Sequence, residues 1–392
     1  TVVVGDASNS TQVNNGGASV GIKMLAGGTY TAEISYSNDD NYMAYSKNVQ
    51  FNVNKITPTM SVSVSNIKVG ADAVFKVTGL PSDATGNVVV NVDGKSVQGA
   101  VSKGAVTIRV SGLTSGTKSA TITYLGDTKY NSVNVAKSVK VTKNTPTVTV
   151  NHNTNVYVGD SVEFNVVLNS DATGTVTVTV DGKTGSGEVV NGAATVTITS
   201  LTEGTKTPQI SYSGDEKYNA ATPSAQNINV IKRDAEITVN PIADIYIGQD
   251  LTFDIILAPD MSGYVTVVCG DNFNETYSAK SKVSVTIPDL SVGTKNIDIT
   301  YSGDSKYNSN SISVTANVLK NPTTLTANNL VMKYKDGSAW TVTLTDSNGN
   351  VIPNVGVKIG ISGVYYTIKT NANGVAKLTI NLNPGTYNLN AT

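Results

Sequence analysis

Residues Tyr212 to Asn219 read Tyr-Ser-Gly-Asp-Glu-Lys-Tyr-Asn, and this octet recurs along the chain. Two further full copies occupy residues 124–131 and 301–308, and a blurred copy, Tyr-Ser-Asn-Asp-Asp-Asn-Tyr, occupies residues 36–42. Successive copies begin 88, 88 and 89 residues apart. A fixed period of this size, with similar flanking sequence each time, indicates a tandem array of one small domain.

Each full octet follows an alternating run that is typical of a β-strand, such as residues 119–124. Its Gly-Asp pair is turn chemistry, because Gly tolerates positive φ and Asp hydrogen-bonds to nearby backbone amides. We therefore interpret the octet as a hairpin between the last two strands of a domain, with two tyrosines packed on its flanks. The residues of this repeat turn motif are Tyr124, Gly126, Asp127, Tyr130, Tyr212, Gly214, Asp215, Tyr218, Tyr301, Gly303, Asp304 and Tyr307.

A second interpretation of the octet is a calcium or glycan site built on Asp127, Asp215 and Asp304. One carboxylate per loop is few ligands for a cation that takes about six to eight oxygens, so the hairpin interpretation is favoured. With a single histidine and a single cysteine, we expect no zinc site, and we expect no cofactor.

The composition favours a β-rich, weakly charged protein. Of the 392 residues, 15% are charged, against about 25% in average soluble domains, and the net charge is −1. Such a balance produces no field that attracts nucleic acid or an anionic membrane, and no apolar run is long enough to span a bilayer. We therefore expect neither nucleic acid nor a membrane to contact these residues. The lone Cys269 excludes an internal disulfide framework and leaves the redox compartment open.

Alternating apolar and polar residues dominate the chain, whereas an apolar stripe with helical period is absent from the sequence. In Thr175–Val180, three valines alternate with three threonines. Across the repeat that contains this run, the sequence predicts strands at residues 147–150, 155–158, 161–166, 175–180, 187–190, 194–198, 209–212 and 225–230. Seven to nine strands in 88 residues predict an all-β fold of tandem immunoglobulin-like β-sandwich domains, which short linkers would hold in an extended, end-to-end array.

Lysine-containing junctions divide the chain into five predicted units, which we call repeats one to five. Repeat one lacks its first strands and is a partial Ig-like domain, repeats two to four are full, and repeat five is a divergent Ig-like domain that lacks its last strand. Their bounds are 1–55, 56–143, 144–231, 232–320 and 321–392. Two explanations fit the incomplete first and last units. We favour a fragment of a longer chain over terminal units that complete each other between two chains.

Several residues are predicted to build the cores of these units. The predicted core aromatics are Phe75, Phe164, Phe253 and Trp340. A Leu-x-x-Gly-Thr pattern is followed by a tyrosine at Tyr30 and Tyr387, which resembles the tyrosine corner of immunoglobulin-type sandwiches. Three lysines take that position in the middle copies, namely Lys118, Lys206 and Lys295.

No catalytic constellation emerges from the sequence, so we expect no enzymatic activity. His152 lies in a polar loop near a junction, and Cys269 lies in a run that we interpret as mid-strand. Phosphate-binding loops need a following helix, and no helix is predicted. If the chain is secreted, candidate N-glycosylation sites are Asn9, Asn274 and Asn390.

The combination of Leu-x-x-Gly-Thr, Tyr-x-Gly-Asp-x-x-Tyr-Asn and Thr-Pro-Thr at domain starts resembles the bacterial-type immunoglobulin-like repeats of prokaryotic surface proteins. The greatest similarity is to adhesin-like proteins of methanogenic archaea, and it covers essentially the whole chain. The resemblance implies an extracellular, cell-surface protein whose signal and anchor lie outside these residues. It also implies an unidentified protein or glycan ligand at a cell surface or in the extracellular space.

The favoured function is a non-enzymatic structural and adhesive stalk that extends a binding region from the cell. One alternative is a subunit of an extracellular sheath or filament that self-associates through its terminal domains. Another is a carbohydrate-binding accessory array of an extracellular enzyme, although one tryptophan offers few aromatic platforms for sugars.

Overall fold

The computed structural model describes residues 1–270 and 272–392, and this part of the chain is all-β. Strand formation follows the alternation of the sequence. Along Thr175–Val180 the three valines are buried and the three threonines are half-buried, because successive side chains point to opposite faces of a strand. The prediction of immunoglobulin-like β-sandwich domains in tandem is confirmed.

Repeats one and two contribute the first twelve strands. Repeat one contains β1 (Val2–Val4), β2 (Ala7–Asn9), β3 (Gly28–Tyr36) and β4 (Tyr45–Val53), which form one sheet in the order β2-β1-β3-β4. Repeat two contains β5 (Ser61–Ser63), β6 (Ile67–Lys68), β7 (Ala73–Thr78), β8 (Asn87–Val92), β9 (Lys95–Ala100), β10 (Val106–Val110), β11 (Gly116–Tyr124) and β12 (Val133–Thr142). Its two sheets have the orders β10-β7-β5 and β6-β12-β11-β8-β9.

Repeat three has nine strands, in a different sheet arrangement. They are β13 (Thr149–Asn151), β14 (Asn155–Tyr157), β15 (Val162–Val167), β16 (Thr175–Val180), β17 (Lys183–Glu188), β18 (Ala193–Ile198), β19 (Gly204–Lys206), β20 (Gln209–Tyr212) and β21 (Ile228–Ile231). One sheet has the order β13-β15-β18. The strands that correspond to the five-stranded sheet of repeat two fall into two groups, β14-β21-β19 and β17-β16-β20.

Repeats four and five complete the chain. Repeat four contains β22 (Thr238–Val239), β23 (Ile245–Tyr246), β24 (Leu251–Ile256), β25 (Tyr264–Cys269), β26 (Phe273–Ser278), β27 (Lys282–Ile287), β28 (Gly293–Tyr301) and β29 (Asn310–Leu319), in sheets β22-β24-β27 and β23-β29-β28-β25-β26. Repeat five contains β30 (Thr323–Ala327), β31 (Ala339–Asp346), β32 (Gly356–Ile361), β33 (Val364–Lys369), β34 (Val375–Thr379) and β35 (Leu389–Ala391), in sheets β30-β31-β34 and β33-β32-β35.

The contacts of the chain define two compact units. One consists of residues 1–156 and 160–229, and the other of residues 157–159 and 230–392. Each repeat with two sheets buries its apolar side chains between them, in the manner of a β-sandwich. Within the described residues, no helix is long and apolar enough to cross a membrane.

The predicted core aromatics are confirmed. Phe75 and Phe164 are fully buried, and Phe253 and Trp340 are nearly so. The indole Nε1 of Trp340 donates a hydrogen bond of 2.7 Å to the carbonyl of Asn328, which satisfies its one polar group.

The two predicted tyrosine corners are also present. The hydroxyl of Tyr30 donates to the carbonyl of Ala26 at 2.9 Å, and that of Tyr387 donates to the carbonyl of Asn383 at 2.9 Å. Both bonds reach back four residues, to the turn that precedes the strand. In each corner, the tyrosine therefore ties the turn to the strand that follows it.

Three lysines replace the tyrosine in the middle repeats and reach the same distance back along the chain. Lys206 Nζ donates to Thr202 Oγ1 at 2.6 Å and lies 3.0 Å from the Asp181 carboxylate. Lys118 makes the corresponding contacts with Thr114 and Asp93, and Lys295 bonds Ser291. A charged link thus replaces the neutral tyrosine corner.

Asp-Gly pairs form the hairpin turns that precede β9 and β17. Asp181 and Gly182 have φ values of 52° and 71°, and Asp93 and Gly94 have 51° and 72°. Two successive residues with positive φ match the twist of the flanking strands, which is why Asp-Gly is favoured here. In repeat four, the order is Gly270-Asp271, and Asp271 lies outside the described residues.

Candidate functional site

The octet of repeat two is a tight turn organised by the carboxylate of Asp127. One of its oxygens, Oδ1, accepts hydrogen bonds from the backbone amides of Lys129 and Tyr130, at 2.7 and 2.8 Å. The other, Oδ2, accepts bonds from the backbone amide and the hydroxyl of Thr85, at 2.8 and 3.1 Å. Because Thr85 lies in the loop before β8, Asp127 joins two turns that are distant in sequence.

These hydrogen bonds control the ionisation of Asp127. Burial acts to raise the pKa of its carboxyl group, but the backbone amides of Thr85, Lys129 and Tyr130 outweigh burial and hold the pKa well below its usual range. The carboxylate is therefore ionised across the neutral and mildly acidic pH range.

Repeats three and four reproduce this turn. Asp215 accepts four bonds, from the amide and hydroxyl of Thr173 and from the amides of Lys217 and Tyr218, at 2.6–3.2 Å. Asp304 accepts the corresponding four, at 2.7–2.9 Å, from Ser262, Lys306 and Tyr307. Burial again opposes ionisation of Asp304, yet the amide bonds lower its pKa to about 2.

A second carboxylate holds the end of each octet. Asp83 accepts a bond of 2.7 Å from the Tyr130 hydroxyl and one of 2.9 Å from Lys129 Nζ. The corresponding residue in repeat three is Asp171, which Tyr218 and Lys217 contact at 2.7 and 2.8 Å. In repeat four it is Asp260, which Tyr307 and Lys306 contact at 2.8 and 3.1 Å.

This second carboxylate and its neighbouring hydroxyl are not among the residues predicted from the sequence. The signal that could have identified them is Asp-x-Thr/Ser-Gly, which stands at residues 83–86, 171–174 and 260–263 with the repeat period. The pattern is short and consists of common turn residues. It gains meaning only when the three copies are aligned with one another.

The first tyrosine of each octet is buried, but the hydrogen bonding of its hydroxyl differs between the three repeats. The Tyr124 hydroxyl donates to the Thr85 carbonyl at 2.8 Å, and the Tyr212 hydroxyl donates to the Thr173 carbonyl at 2.6 Å. Burial raises the pKa of each to about 12. The Tyr301 hydroxyl is buried and has no hydrogen-bond partner at normal distance and geometry among the described residues.

The octet glycines occupy positions that no other residue fits. Gly126, Gly214 and Gly303 have φ values of 81°, 73° and 75°. A Cβ atom on Gly214 would lie 2.7 Å from the backbone nitrogen of Ala220 and 2.9 Å from the Tyr218 carbonyl oxygen. The turn thus requires glycine both for its conformation and for the close approach of the returning chain.

The first residues of each repeat run alongside the octet of the same repeat. The Ile56 amide donates to the Lys129 carbonyl at 2.9 Å, and the Asn131 amide donates to the Ile56 carbonyl at 2.9 Å. Asn144 exchanges the same two bonds with Lys217 and Asn219, and Arg233 does so with Lys306 and Asn308. In all three repeats, these bonds form a parallel bridge with the second octet tyrosine.

Lysines of the linkers also contact the octet. Lys55 Nζ donates to the Asp127 carbonyl at 2.7 Å, and Lys143 Nζ donates to the Asp215 carbonyl. The lysine ammonium group thus donates to the backbone carbonyl of the aspartate whose carboxylate organises the turn. At the first two predicted junctions, the lysine therefore binds the octet that follows it.

The same region contacts the preceding repeat. The Gly27 amide of repeat one donates to the Thr128 carbonyl in the octet of repeat two, at 2.8 Å. The Asn144 side chain donates to the Val69 carbonyl of repeat two, at 3.1 Å. The Arg233 guanidinium lies 4.4 Å from the centre of the Tyr157 ring, which belongs to repeat three. The octet therefore lies at the junction, next to the linker and the previous repeat.

The weak calcium candidates are engaged with donor groups. Asp127, Asp215 and Asp304 each point both carboxylate oxygens at N–H and O–H groups, whereas a cation would need those oxygens to point at itself. Within the described residues, no group of three or more His, Cys, Asp or Glu side chains could hold a metal ion. The geometry supports the hairpin interpretation of the octet.

The remaining candidate residues are dispersed over the repeats. The His152 ring packs against Phe164, with a centroid distance of 4.8 Å. Cys269 is buried, which raises the pKa of its thiol, and it ends β25 rather than lying in the middle of the strand. The sequon residues are exposed side chains on β2, β26 and β35, namely Asn9, Asn274 and Asn390.

Comparisons with known proteins agree with the fold. A family model described as a bacterial Ig-like domain (group 3) matches residues 148–231, which lie in repeat three. The chain consists of tandem Ig-like β-sandwich repeats, and the matched residues are similar to that bacterial domain. No curated protein matches the sequence.

The matches among solved structures include two adhesins. A Ca²⁺-stabilised adhesin that helps an Antarctic bacterium bind ice is 18% identical over 83% of this chain and 92% of that chain, with a TM-score of 0.28. A 1.5-MDa bacterial ice-binding adhesin is 14% identical over 68% of this chain and 99% of that chain, with a TM-score of 0.26. Immunoglobulin domains 1–5 of Sidekick-1 are 12% identical over 75% of this chain and 66% of that chain, with a TM-score of 0.32. These TM-scores are too low to carry an argument about function.

Proposed function

We propose that this chain is a non-enzymatic structural and adhesive stalk at the cell surface, which holds a binding region away from the cell. The observation that carries the proposal is the octet, which places a hydrogen-bonded turn, the linker and the preceding repeat together at successive junctions. A junction held by backbone bonds on one side and side-chain contacts on the other limits the swing of neighbouring repeats. Such restraint suits a spacer better than it suits a flexible tether.

The proposal includes the division into repeats at residues 55, 143, 231 and 320, an extracellular location, and an unidentified protein or glycan ligand. The resemblance of the octet to repeats of methanogen adhesin-like proteins supports the location, as does the match to bacterial Ig-like domains. The two adhesins that match the chain bind ice, and the ligand that we propose for this chain is a protein or a glycan.

Small-angle scattering across a concentration series tests the shape that a stalk requires. Four to five repeats, each about 35–40 Å long, predict a monomeric rod of about 150–200 Å. A compact particle would contradict the stalk. A particle that lengthens with concentration would favour the alternative of a sheath or filament subunit.

A variant pair sharpens this test. Asn144→Ala removes the side-chain bond to Val69 and leaves the backbone bonds to the octet, so we expect the particle to become more flexible. Asn153→Ala, on an exposed residue of the same repeat, is the matched control and should leave the scattering unchanged. Protease treatment of intact producing cells tests the location, because a surface stalk should be cleaved while the cells remain closed.

A further inference from the structure

Repeat three departs from its neighbours in the sheet that contains its last strand. In repeat two, β11 pairs with β12 without interruption from Gly116 to Tyr124, and in repeat four, β28 pairs with β29 from Gly293 to Tyr301. The final strands β12 and β29 are each 10 residues long, whereas β21 has only 4. The sequence predicts this strand at residues 225–230, but in the structure it begins at Ile228.

Two prolines account for the interruption. Pro208 stands where repeat two has Ala120, whose partner on β12 is Lys137. Pro223 stands in the segment that returns from the octet. Neither can donate a ladder hydrogen bond, because proline has no backbone N–H. The segment is also one residue longer, since Tyr218 and Ile228 are ten positions apart whereas Tyr130 and Val139 are nine.

The consequence is an open sheet edge. Ile210 corresponds to Ile122, which pairs with Val135 of the final strand in repeat two. In repeat three, Ile210 pairs with Val178 of β16. Among the described residues, no strand pairs with the other side of β20, so β20 is the edge strand of its sheet. One isolated bridge, between Tyr212 and Ala221, holds the returning segment before it leaves the sheet.

Residues 222–226, which we call the detached segment, line two open surface pockets. One of about 390 Å³ is lined by Pro208, Ile210, Thr222 and Pro223, among others. Another of about 430 Å³ is lined by His152, Ser224 and Gln226, among others. The detached segment belongs to no strand, whereas the neighbouring repeats have a paired strand at this position.

The early part of repeat three makes the same backbone hydrogen bond to the last strand as in its neighbours. The Val158 amide donates to the Ile231 carbonyl at 2.9 Å, and this bond has counterparts between Val69 and Thr142 and between Ile247 and Leu319. Each joins the entry of a repeat to its last strand. Because β21 also keeps β19 as a neighbour, the difference between the repeats lies in the segment before Ile228, which β20 does not pair except at Ala221.

We propose that repeat three is the release module of the array: because Pro208 and Pro223 interrupt its sheet, its last strand separates before those of repeats two and four. In a stalk under tension, repeat three would then lengthen before repeats two and four and limit the load on them. Only this use under tension rests on the proposed function. The order of opening is a property of the folded chain.

Amide hydrogen exchange on the full chain, read by mass spectrometry, tests the order of opening. We expect the amides of residues 205–231 to exchange at least roughly tenfold faster than those of residues 117–142 and 294–319, because local opening exposes them more often. Equal or slower exchange in repeat three would overturn the proposal.

Variants test the cause. Pro208→Ala with Pro223→Val restores two N–H donors, and alanine is the residue that repeat two has at position 120. We expect exchange of residues 205–231 to slow toward that of repeat two. Pro241→Ala, on an exposed proline of repeat four, is the control for replacing a proline elsewhere in the chain and should change nothing in repeat three. An unchanged exchange rate in the double variant would overturn the assignment to the prolines.

Single-molecule pulling of the full chain separates this inference from the stalk proposal. In the native chain, we expect repeat three to unfold at lower force than repeats two and four, and this event should move to higher force in the Pro208→Ala, Pro223→Val double variant. If exchange and pulling show the expected order but intact cells protect the chain from protease, the release module stands and the surface location fails. If cells expose the chain but all repeats open alike, the stalk stands and the release module fails.

Discussion

The Tyr130 hydroxyl donates a 2.7 Å hydrogen bond to the carboxylate of Asp83, 47 positions earlier in the chain. Asp83 lies in the loop before β8 and Tyr130 in the turn after β11, so the bond joins two turns of the same repeat. Tyr218 with Asp171 and Tyr307 with Asp260 repeat it. The octet is therefore one half of a two-turn network, whose other half supplies a carboxylate and a hydroxyl.

The carboxylate of Asp127 should be the most sensitive polar group of this network. In Asp127→Asn, an NH₂ group replaces an acceptor oxygen and faces N–H or O–H donors, so repeat two should lose about 1–3 kcal/mol of unfolding free energy. Amide exchange in a urea series, read on peptides of each repeat, measures the loss. Asp72→Asn, on an exposed residue of the same repeat, is the control. Equal stability of the two variants would contradict the prediction.

The first octet tyrosines allow a matched series of phenylalanine substitutions. Tyr124→Phe and Tyr212→Phe each remove a bond to a carbonyl and should cost about 0.5–1.5 kcal/mol in their own repeats. The Tyr301 hydroxyl has no partner at normal hydrogen-bond geometry among the described residues and lies near the Asp304 carboxylate, so Tyr301→Phe should cost less than either of these substitutions. Repeat-resolved urea unfolding measures all three. A loss at Tyr301 as large as at Tyr124 would show that its hydroxyl is bonded in solution.

Acid should weaken repeats two and three through the aspartates of their Asp-Gly turns. In repeat three, the Thr202 amide, the Thr202 hydroxyl and Lys206 lower the pKa of Asp181 to about 2. In repeat two, the Thr114 amide, Lys118 and the Thr114 hydroxyl do the same for the pKa of Asp93. A carboxyl with a depressed folded pKa contributes stability above its unfolded pKa of about 3.9, and this stability disappears as pH falls through the folded value.

The melting temperature of repeats two and three should accordingly fall between about pH 4 and pH 2. Asp181→Asn removes one titrating group of repeat three, so it should reduce this dependence there while repeat two shows it in full. Repeat-resolved exchange at several pH values measures the difference. A slope that persists undiminished in Asp181→Asn would assign the acid sensitivity to other carboxylates, such as Asp215.

The fold could be predicted from the sequence because its determinants are local and repeated. Alternation along Thr175–Val180 specifies a strand, and Gly-Asp specifies a turn, whatever the rest of the chain does. The bond between Asp83 and Tyr130 could not be predicted in the same way, since it depends on two loops that meet only after both sheets have formed. The shortened β21 lies between these cases: Pro223 is visible in the sequence, but its effect depends on the partner that it would have had on β20.

Calcium should not stabilise the chain. The carboxylates of Asp127, Asp215 and Asp304 already accept hydrogen bonds on both oxygens, so binding a cation would first break the bonds that shape the turn. Calorimetry with a chelator and with added calcium should therefore give the same melting profile. An increase of several degrees with calcium, abolished by Asp215→Asn, would instead establish the octet as a cation site.

The octet glycine should tolerate substitution far less well than a glycine with the same backbone conformation in open space. Gly214 has φ +73°, and the backbone of residues 218–220 lies within 3 Å of the position that a Cβ atom would take there. Gly182 has φ +71° and no atom within 4 Å of that position. Alanine at either site introduces the strain of a positive φ, which costs about 1 kcal/mol or more.

Only Gly214→Ala adds a collision with backbone, which should cost about 1–3 kcal/mol beyond the loss in Gly182→Ala. Both variants lie in repeat three, so repeat-resolved unfolding compares them directly. Equal losses would mean that the returning chain can move away from the added methyl group. A loss of stability that spreads to all repeats would contradict their near-neighbour coupling.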